Sequence, residues 1–394
     1  MLPFLVTNTR TSLPHTSNMT PSPKIVNVGL IGCGEVAQVI HIPTLNNLNE
    51  QYRITYLCDV SQDALNHCAT KVAQGPPGTP APKLTKNAAE VCSSKDVDIV
   101  FVINSTEYHV HHAIMALEND KIAFVEKPMA MNVRDVNLMR QAEAKSKGTV
   151  MVGYMRRYAT AFLDAVKEVG GMEQVTYARV RDIIGRNAFF VDQSGTFPKK
   201  FSDYSKEDGQ DLAARNEDLV KEGLSTDLGV SVTKESSIMW TLLGNLGSHD
   251  LSLMREALGM PKSVLGCSLN ASTVWNVLFQ YPGFVCSYES GIDEIPRFDA
   301  HLEVYSKNKQ VTVQYDTPYV KGLPVTMTIR ENVNGHYEER FVRKTYEDPY
   351  TLEMKELYAL ATEGKPVKTT VEDAAEDLEI YQMIMSAGKA QFGQ

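Results

Sequence analysis

Three groups of residues in this 394-residue chain have types and spacings suited to chemistry. The first is Gly32-Cys33-Gly34-Glu35-Val36-Ala37. In a Gly-x-Gly-x-x-Ala turn the first glycine permits a tight turn and the second lets a pyrophosphate approach the backbone. Ala37 is small enough for close helix–strand packing. A helix starting here would offer free N–H groups and the positive end of its dipole to phosphate. Asp59 closes the next apolar run, where a carboxylate would hydrogen-bond ribose hydroxyls. Val60 and Ser61 follow it, with no Arg or Lys to hold a 2′-phosphate, so NAD is favoured over NADP.

The second group is Glu126-Lys127-Pro128, at the end of another apolar run. A Lys there falls at the carboxyl edge of a parallel sheet, where open α/β folds bind ligands. Its ammonium can hold a substrate oxygen, and partial desolvation would lower its pKa. The third group is Asn245-Leu-Gly-Ser-His249, inside a stretch, Trp240–Leu253, with helical periodicity. A four-residue separation puts Asn245 and His249 on one helix face. An imidazole is the natural proton acceptor for an alcohol being oxidised. Together the three groups suit hydride transfer beside a bound dinucleotide.

The elements that must position them alternate in type. Near-continuous apolar strands at 25–31, 54–59, 98–103, 122–125 and 149–152 are separated by helical stretches, one capped by Ser61 and one by Asn132. This pattern predicts an α/β doubly wound parallel sheet over 25–153. Alternating strands then run from Val175 to Arg343 with short turns such as Tyr281-Pro-Gly-Phe284. They predict an α+β domain with a large open, mainly antiparallel sheet over 154–368. A closing helix over 369–394 carries a Thr369…Glu372 pair resembling a capping box. Residues 190–235 form a long polar insertion with a weak helical pattern at 211–220. Residues 1–24, rich in Ser, Thr and Pro, are expected to be a disordered extension.

A net charge of −9 argues against a nucleic-acid partner, and no apolar run is long enough to span a bilayer. Six Cys without a C-x-x-C pair suit a reducing, cytoplasmic setting rather than a disulfide or zinc framework. His109, His111 and His112 lack a carboxylate or Cys at suitable spacing, so no metal is expected.

These residues in this order resemble the glucose–fructose oxidoreductase / inositol dehydrogenase (Gfo/Idh/MocA) family. The similarity runs over about 25–390 and includes the glycine turn, the Asn104…His109 turn, Glu126-Lys127-Pro128, Tyr154-Met-Arg-Arg-Tyr158 and Asn245-x-Gly-x-His249. The resemblance implies an NAD-dependent dehydrogenase for a sugar or polyol, inositol-like, working as a homodimer or homotetramer joined through the open sheet. It implies that Lys127 binds the reacting hydroxyl, that His249 is the acid/base, and that Lys127-Pro128 is cis. Asn104, Ser105, His109, Glu126 and Lys127 would join the glycine turn in holding the cofactor. Tyr154, Met155, Arg156, Asn245 and His249 would meet substrate with Lys127. A regulatory protein of the same fold that senses NAD without turnover, or a dehydrogenase of a non-carbohydrate substrate, are the alternatives. The family often places Asp four residues before the His, whereas this chain has Asn245, which cannot stabilise an imidazolium with a full charge. The 190–235 insertion is expected to act as a lid shaping substrate choice, with little bearing on NAD affinity.

Overall fold

The computed structural model describes residues 24–72, 79–269 and 274–393. The expected extension, apart from Lys24, lies outside these residues, as does 73–78 in the Pro/Gly-rich loop.

Six strands make a parallel sheet: β1 (Val26–Ile31), β2 (Tyr52–Cys58), β3 (Lys83–Thr85), β4 (Ile99–Val102), β5 (Ile122–Glu126) and β6 (Val150–Gly153). Their order is β3-β2-β1-β4-β5-β6. Every residue of β4 is buried, which is why the strand reads as an unbroken apolar run. The order reverses between β1 and β4, so the carboxyl ends of these two strands open a crevice. A π-helical turn (Ala37–His41) leads from the glycine turn into α1 (Ile42–Asn47). Next come α2 (Gln62–Lys71), α3 (Ala88–Ser93), α4 (His109–Leu117) and α5 (Val133–Lys145). Ser61 caps α2 by accepting from Ala64 N (2.9 Å), and Asn132 caps α5 through Asp135 N (2.8 Å), both as expected.

After a 3-10 turn (Met155–Tyr158) and α6 (Thr160–Gly170), the chain enters β7 (Val175–Gly185). The insertion then runs through α7 (Ala188–Val191), α8 (Lys206–Lys221) and α9 (Lys234–Leu242) to α10 (Ser248–Leu258). Seven more strands follow: β8 (Ser263–Ser268), β9 (Val274–Tyr281), β10 (Phe284–Asp293), β11 (Phe298–Ser306), β12 (Lys309–Tyr315), β13 (Thr326–Val333) and β14 (His336–Val342). With β7 they form an eight-stranded sheet ordered β14-β13-β12-β11-β7-β10-β9-β8. Among the described residues only its β7–β10 pair is parallel. The architecture is the one expected: a Rossmann-type parallel sheet, then a large open and mainly antiparallel one.

Two helices close the chain, α11 (Pro349–Glu363) and α12 (Val371–Gly388). Although it follows the second sheet in sequence, α11 packs against the first. Met354 and Leu357 share a buried cluster with Val26, Val28 and Leu30, and Tyr52 Oη donates to Met354 O at 2.6 Å. The span 154–368 is thus not one packing unit. The cap of α12 is Thr370, whose hydroxyl accepts from Asp373 N (3.2 Å). Thr369 is instead buried and hydrogen-bonded to Tyr158 Oη at 2.8 Å, which corrects the expected capping pair. The expected helix over 240–253 is also interrupted, by a π turn at Leu243–Gly247 between α9 and α10.

Candidate active site

The glycine turn follows β1 directly. Gly32 has φ +115°, and a Cβ there would lie 2.7 Å from Asn104 N and 2.8 Å from Asn104 Cα, so glycine is required on both counts. A Cβ on Gly34 would meet nothing within 4 Å, which leaves its outer side open for a phosphate. Asp59 Oδ2 accepts from Cys33 N (2.8 Å) and Oδ1 from Ser61 N (2.9 Å), bracing the turn against the end of β2. Each oxygen retains a second lone pair for a ribose hydroxyl. Burial raises the Asp59 pKa, against the pull of these N–H donors.

A cavity of about 680 Å³ opens beside the turn, lined by Gly32, Gly34, Glu35, Val36, Asp59, Asn104 and Ser105. Seven of the eleven residues expected to hold cofactor thus share one concavity. The other four do not face it. Cys33 is buried, with its N–H committed to Asp59. His109 is buried with Nδ1 2.8 Å from Pro128 O and Nε2 3.1 Å from Asn104 O, so it ties the start of α4 to the Pro128 turn. Glu126 directs Oε1 to the buried His41 (Nε2, 2.8 Å) and Oε2 to Lys127 N (3.2 Å), which makes it a brace for Lys127. Lys127 points elsewhere, as described below.

The cavity has walls that sequence reasoning missed. From α4 and the turn before it come Tyr108, His111, His112 and Met115; burial pushes the His112 pKa down to about 3. The insertion supplies Tyr204, Asp208, Gly209, Asp211 and Leu212. Its helix is longer than the weak 211–220 pattern suggests because Ser205 and Asp208 form a capping box, with Asp208 N donating to Ser205 Oγ at 3.0 Å. That Ser-x-x-Asp signal was available in the sequence. Further anchors bind the insertion to the first sheet's helices. Gln38 exchanges two hydrogen bonds with the Lys199 backbone (3.0 and 2.8 Å), and Tyr108 Oη donates to Asp211 (2.7 Å). Arg134 pairs with Asp218 at 2.7 Å. The insertion, expected as a lid shaping substrate choice, therefore forms one wall of this cavity.

Lys127 projects from the end of β5, and the Lys127-Pro128 bond is cis. Its Nζ donates to Asn245 O at 2.5 Å. Surrounding protein lowers its pKa to about 8, chiefly by desolvation, although the side chain keeps some solvent contact. His249 follows the same π turn. Burial, then the charges of Lys127 and Arg156, push its pKa well below the usual value, and its Nδ1 is buried without a hydrogen-bond partner. Asn245 does not hold the imidazole: its side-chain oxygen takes a long bond from Thr106 Oγ1 (3.4 Å). The π turn closes its hydrogen bonds over five residues, so positions 245 and 249 no longer stack as in an α-helix.

The predicted substrate residues at 154–156 are the most altered. Tyr154 is buried, with the Arg157 guanidinium 5.6 Å from its ring. Met155 is buried against Val39, Ile40, Val191 and Tyr350. Arg156 is 3% exposed and lies between the rings of Phe298 and Tyr315 at 5.5 and 5.4 Å. Its guanidinium pairs with Asp250 and with Asp182 (3.2 Å), so it is committed to two acids before any substrate arrives. Asp250, next to His249 in the chain, is thus buried in this ion-pair group. Burial and the nearby Asp182 raise its pKa, and Arg156 opposes the shift.

With this geometry in view, the likeness to known proteins is informative. Residues 26–154 match the GFO_IDH_MocA model, an oxidoreductase family with an NAD-binding Rossmann fold. Inositol 2-dehydrogenase 3 of Saccharopolyspora erythraea is 34% identical over 150 residues, 37% of this chain and 42% of that protein. The chain thus spans less than half the length of this relative in the match. Over nearly the whole chain the likeness is in fold. A levoglucosan dehydrogenase in complex with NADH and levoglucosan superposes with a TM-score of 0.67 at 15% identity, covering 93% of this chain and 98% of that one. A 3-ketoreductase from Actinomadura kijaniata in complex with NADP gives 0.66 at 12%, covering 92% and 98%. Among the described residues no helix is long and apolar enough to cross a membrane, and no group of three His, Cys, Asp or Glu could hold a metal ion.

Proposed function

We propose that this protein is an NAD-dependent oxidoreductase that transfers hydride between a secondary alcohol of a sugar or polyol, inositol-like in shape, and the nicotinamide. One observation carries this: Asn245 joins the two halves of the site. Its side chain meets Thr106, next to Ser105 of the dinucleotide cavity, and its main-chain oxygen meets Lys127 Nζ. Lys127 is thereby tied, through Asn245, to the turn that borders the cavity.

Gly34 and the open side of its turn would take the pyrophosphate, and Asp59 the adenosine ribose. When bound, the nicotinamide accepts the carbinol hydride. Lys127, as a cation, would donate to the reacting hydroxyl and stabilise the developing alkoxide. His249, neutral because burial and two cations oppose its protonation, would take the hydroxyl proton. The acid pair under Arg156 fixes the guanidinium so that the floor of the site does not move with the substrate. The exposed edge strand β14, with Tyr337 and Phe341 at 72% and 63% exposure, supports self-association through the open sheet.

The test is production of reduced nicotinamide from NAD by the full chain against a panel of inositols, aldoses and anhydrosugars, with Lys127→Ala as control. Turnover of one or more polyols that disappears in the variant is expected. Equal turnover by the variant would remove Lys127 from the chemistry.

A further inference from the structure

The insertion carries a carboxylate to a place where an anion would otherwise bind. Asp203 Oδ2 accepts from Asp63 N at 3.1 Å, and Asp203 Oδ1 accepts from the hydroxyl of Ser61. Ser61 caps α2 and follows Asp59 by two residues, so Asp203 sits on the first turn of the helix immediately beyond the ribose-binding acid. Free first-turn N–H groups and the helix dipole make such a position a natural seat for a phosphate. Here it is filled. Contact with Ser61 and the backbone N–H groups holds the Asp203 pKa below the ordinary value, so it is an anion. The segment cannot drift off easily: Gln38 clamps Lys199 on one side, and Tyr204 and Asp208 line the cavity on the other.

We infer that Asp203 excludes a 2′-phosphate from the adenosine ribose and so selects NAD over NADP. This rests on the proposed dinucleotide function and deepens it. Asp59 lines the cavity, and Asp203, seated on the first turn of α2 just beyond it, is near enough for its charge to act on Asp59. Lys86 also lines the cavity, and its charge acts on Asp59. A 2′-phosphate would lose the α2 N–H groups to Asp203 and meet its charge. The choice between cofactors is thus made by a residue far along the chain from the glycine turn and Asp59.

Titrating the full-length protein with NADH and with NADPH, followed by energy transfer from protein fluorescence to the dinucleotide, tests this without turnover. The wild type should bind NADH at least about tenfold tighter, because a single like-charge contact near a protein surface is worth a decade or more. Asp203→Asn keeps an acceptor for Asp63 N but drops the charge, and Asp203→Ser vacates the seat. Both should tighten NADPH roughly tenfold and leave NADH within about threefold. Unchanged ratios in two variants with native circular dichroism would overturn the assignment, as would a wild type that binds NADPH equally well. A wild type that binds neither dinucleotide would instead bring down the cofactor assignment beneath it.

Discussion

Lys127 Nζ donates to the main-chain oxygen of Asn245 at 2.5 Å, fastening the end of β5 to the π turn that precedes His249. Residues 118 positions apart are thereby held as one unit. A carbonyl acceptor keeps the ammonium in place without neutralising it, so a substrate hydroxyl can take up the remaining donors.

Removing that ammonium should be felt in the chemistry and not in cofactor binding. Lys127→Ala should lower kcat by about 10²–10⁴-fold, the range for a positioned acid–base group. The NADH dissociation constant should stay within about threefold, since Lys127 does not line the dinucleotide cavity. Stopped-flow turnover and a binding titration separate the two effects. A parallel loss of both would place Lys127 in the cofactor site.

Lys127 titrates near 8, lowered chiefly by desolvation, while His249 stays neutral well below the usual imidazole pKa. With a cationic Lys and a neutral His as the active forms, kcat/KM for the alcohol should be level through neutral pH and fall as pH rises past about 8. Lys127→Arg, a cation at all these pH values, should lack that falling limb in whatever activity it keeps. A wild-type profile still rising a full unit above 8 would reject this assignment of charges. Stability moves the opposite way. The folded pKa lies below the unfolded value of about 10.4, so the unfolded chain binds more protons between the two and stability rises with pH across that window. Lys127→Met should therefore raise Tm at neutral pH, with the advantage fading above about pH 10.

The insertion should matter to cofactor affinity. Gln38 is buried, and its amide makes both bonds to Lys199 as well as one to Cys33 O in the glycine turn (2.9 Å). Leaving such partners unsatisfied costs about 1–3 kcal/mol. Gln38→Ala should weaken NADH binding several-fold and quicken proteolysis within 195–212, read by titration and by limited digestion. Deleting 195–232 should weaken it further. A deletion that changes only substrate KM would return the segment to the role of a substrate lid.

Much of this was legible in the sequence, and the failures share one cause. Strands, caps at Ser61 and Asn132, and the glycine turn depend on near neighbours, so periodicity and local chemistry find them. Which way a side chain points at a junction depends on distant partners. His109, Glu126, Tyr154 and Arg156 are where they were expected along the chain, yet each is already bonded to or packed on something else. His41 was passed over because nothing nearby in sequence announces its bond to Glu126. Asp203 could not be seen at all: its partners Ser61 and Asp63 are 142 and 140 residues away.

Arg156 is a case where commitment has energetic weight. Its guanidinium is buried against Asp182 and Asp250, and removing one member of such a group strands the others, at about 3–5 kcal/mol. Arg156→Ala should lose that much in urea unfolding. Asp182→Asn should lose less, because Asp250 remains to pair with the cation. A loss under about 1 kcal/mol for Arg156→Ala would mean that water replaces the guanidinium and that the floor is not rigid.

The approach of the π turn to the Pro128 loop is set by Gly244. A Cβ there would lie 2.5 Å from Met131 Sδ, closer than real side chains come, and 3.0 Å from Pro128 Cγ, a tight contact. Gly244→Ala should push the turn outward, draw Asn245 O away from Lys127 Nζ, and cost about 1–3 kcal/mol in overpacking. Turnover should fall about tenfold, since small displacements of positioned groups are expensive, with NADH binding little changed. Met131 is the flexible half of the clash, so Met131→Ala in the same chain should make room and restore much of the rate. Recovery in the double variant, measured as kcat beside the two single changes, would show that the glycine acts through the spacing of Lys127 and Asn245. If Met131→Ala recovers nothing while Tm returns, the rate loss has another origin and the Lys127–Asn245 contact is not what governs turnover.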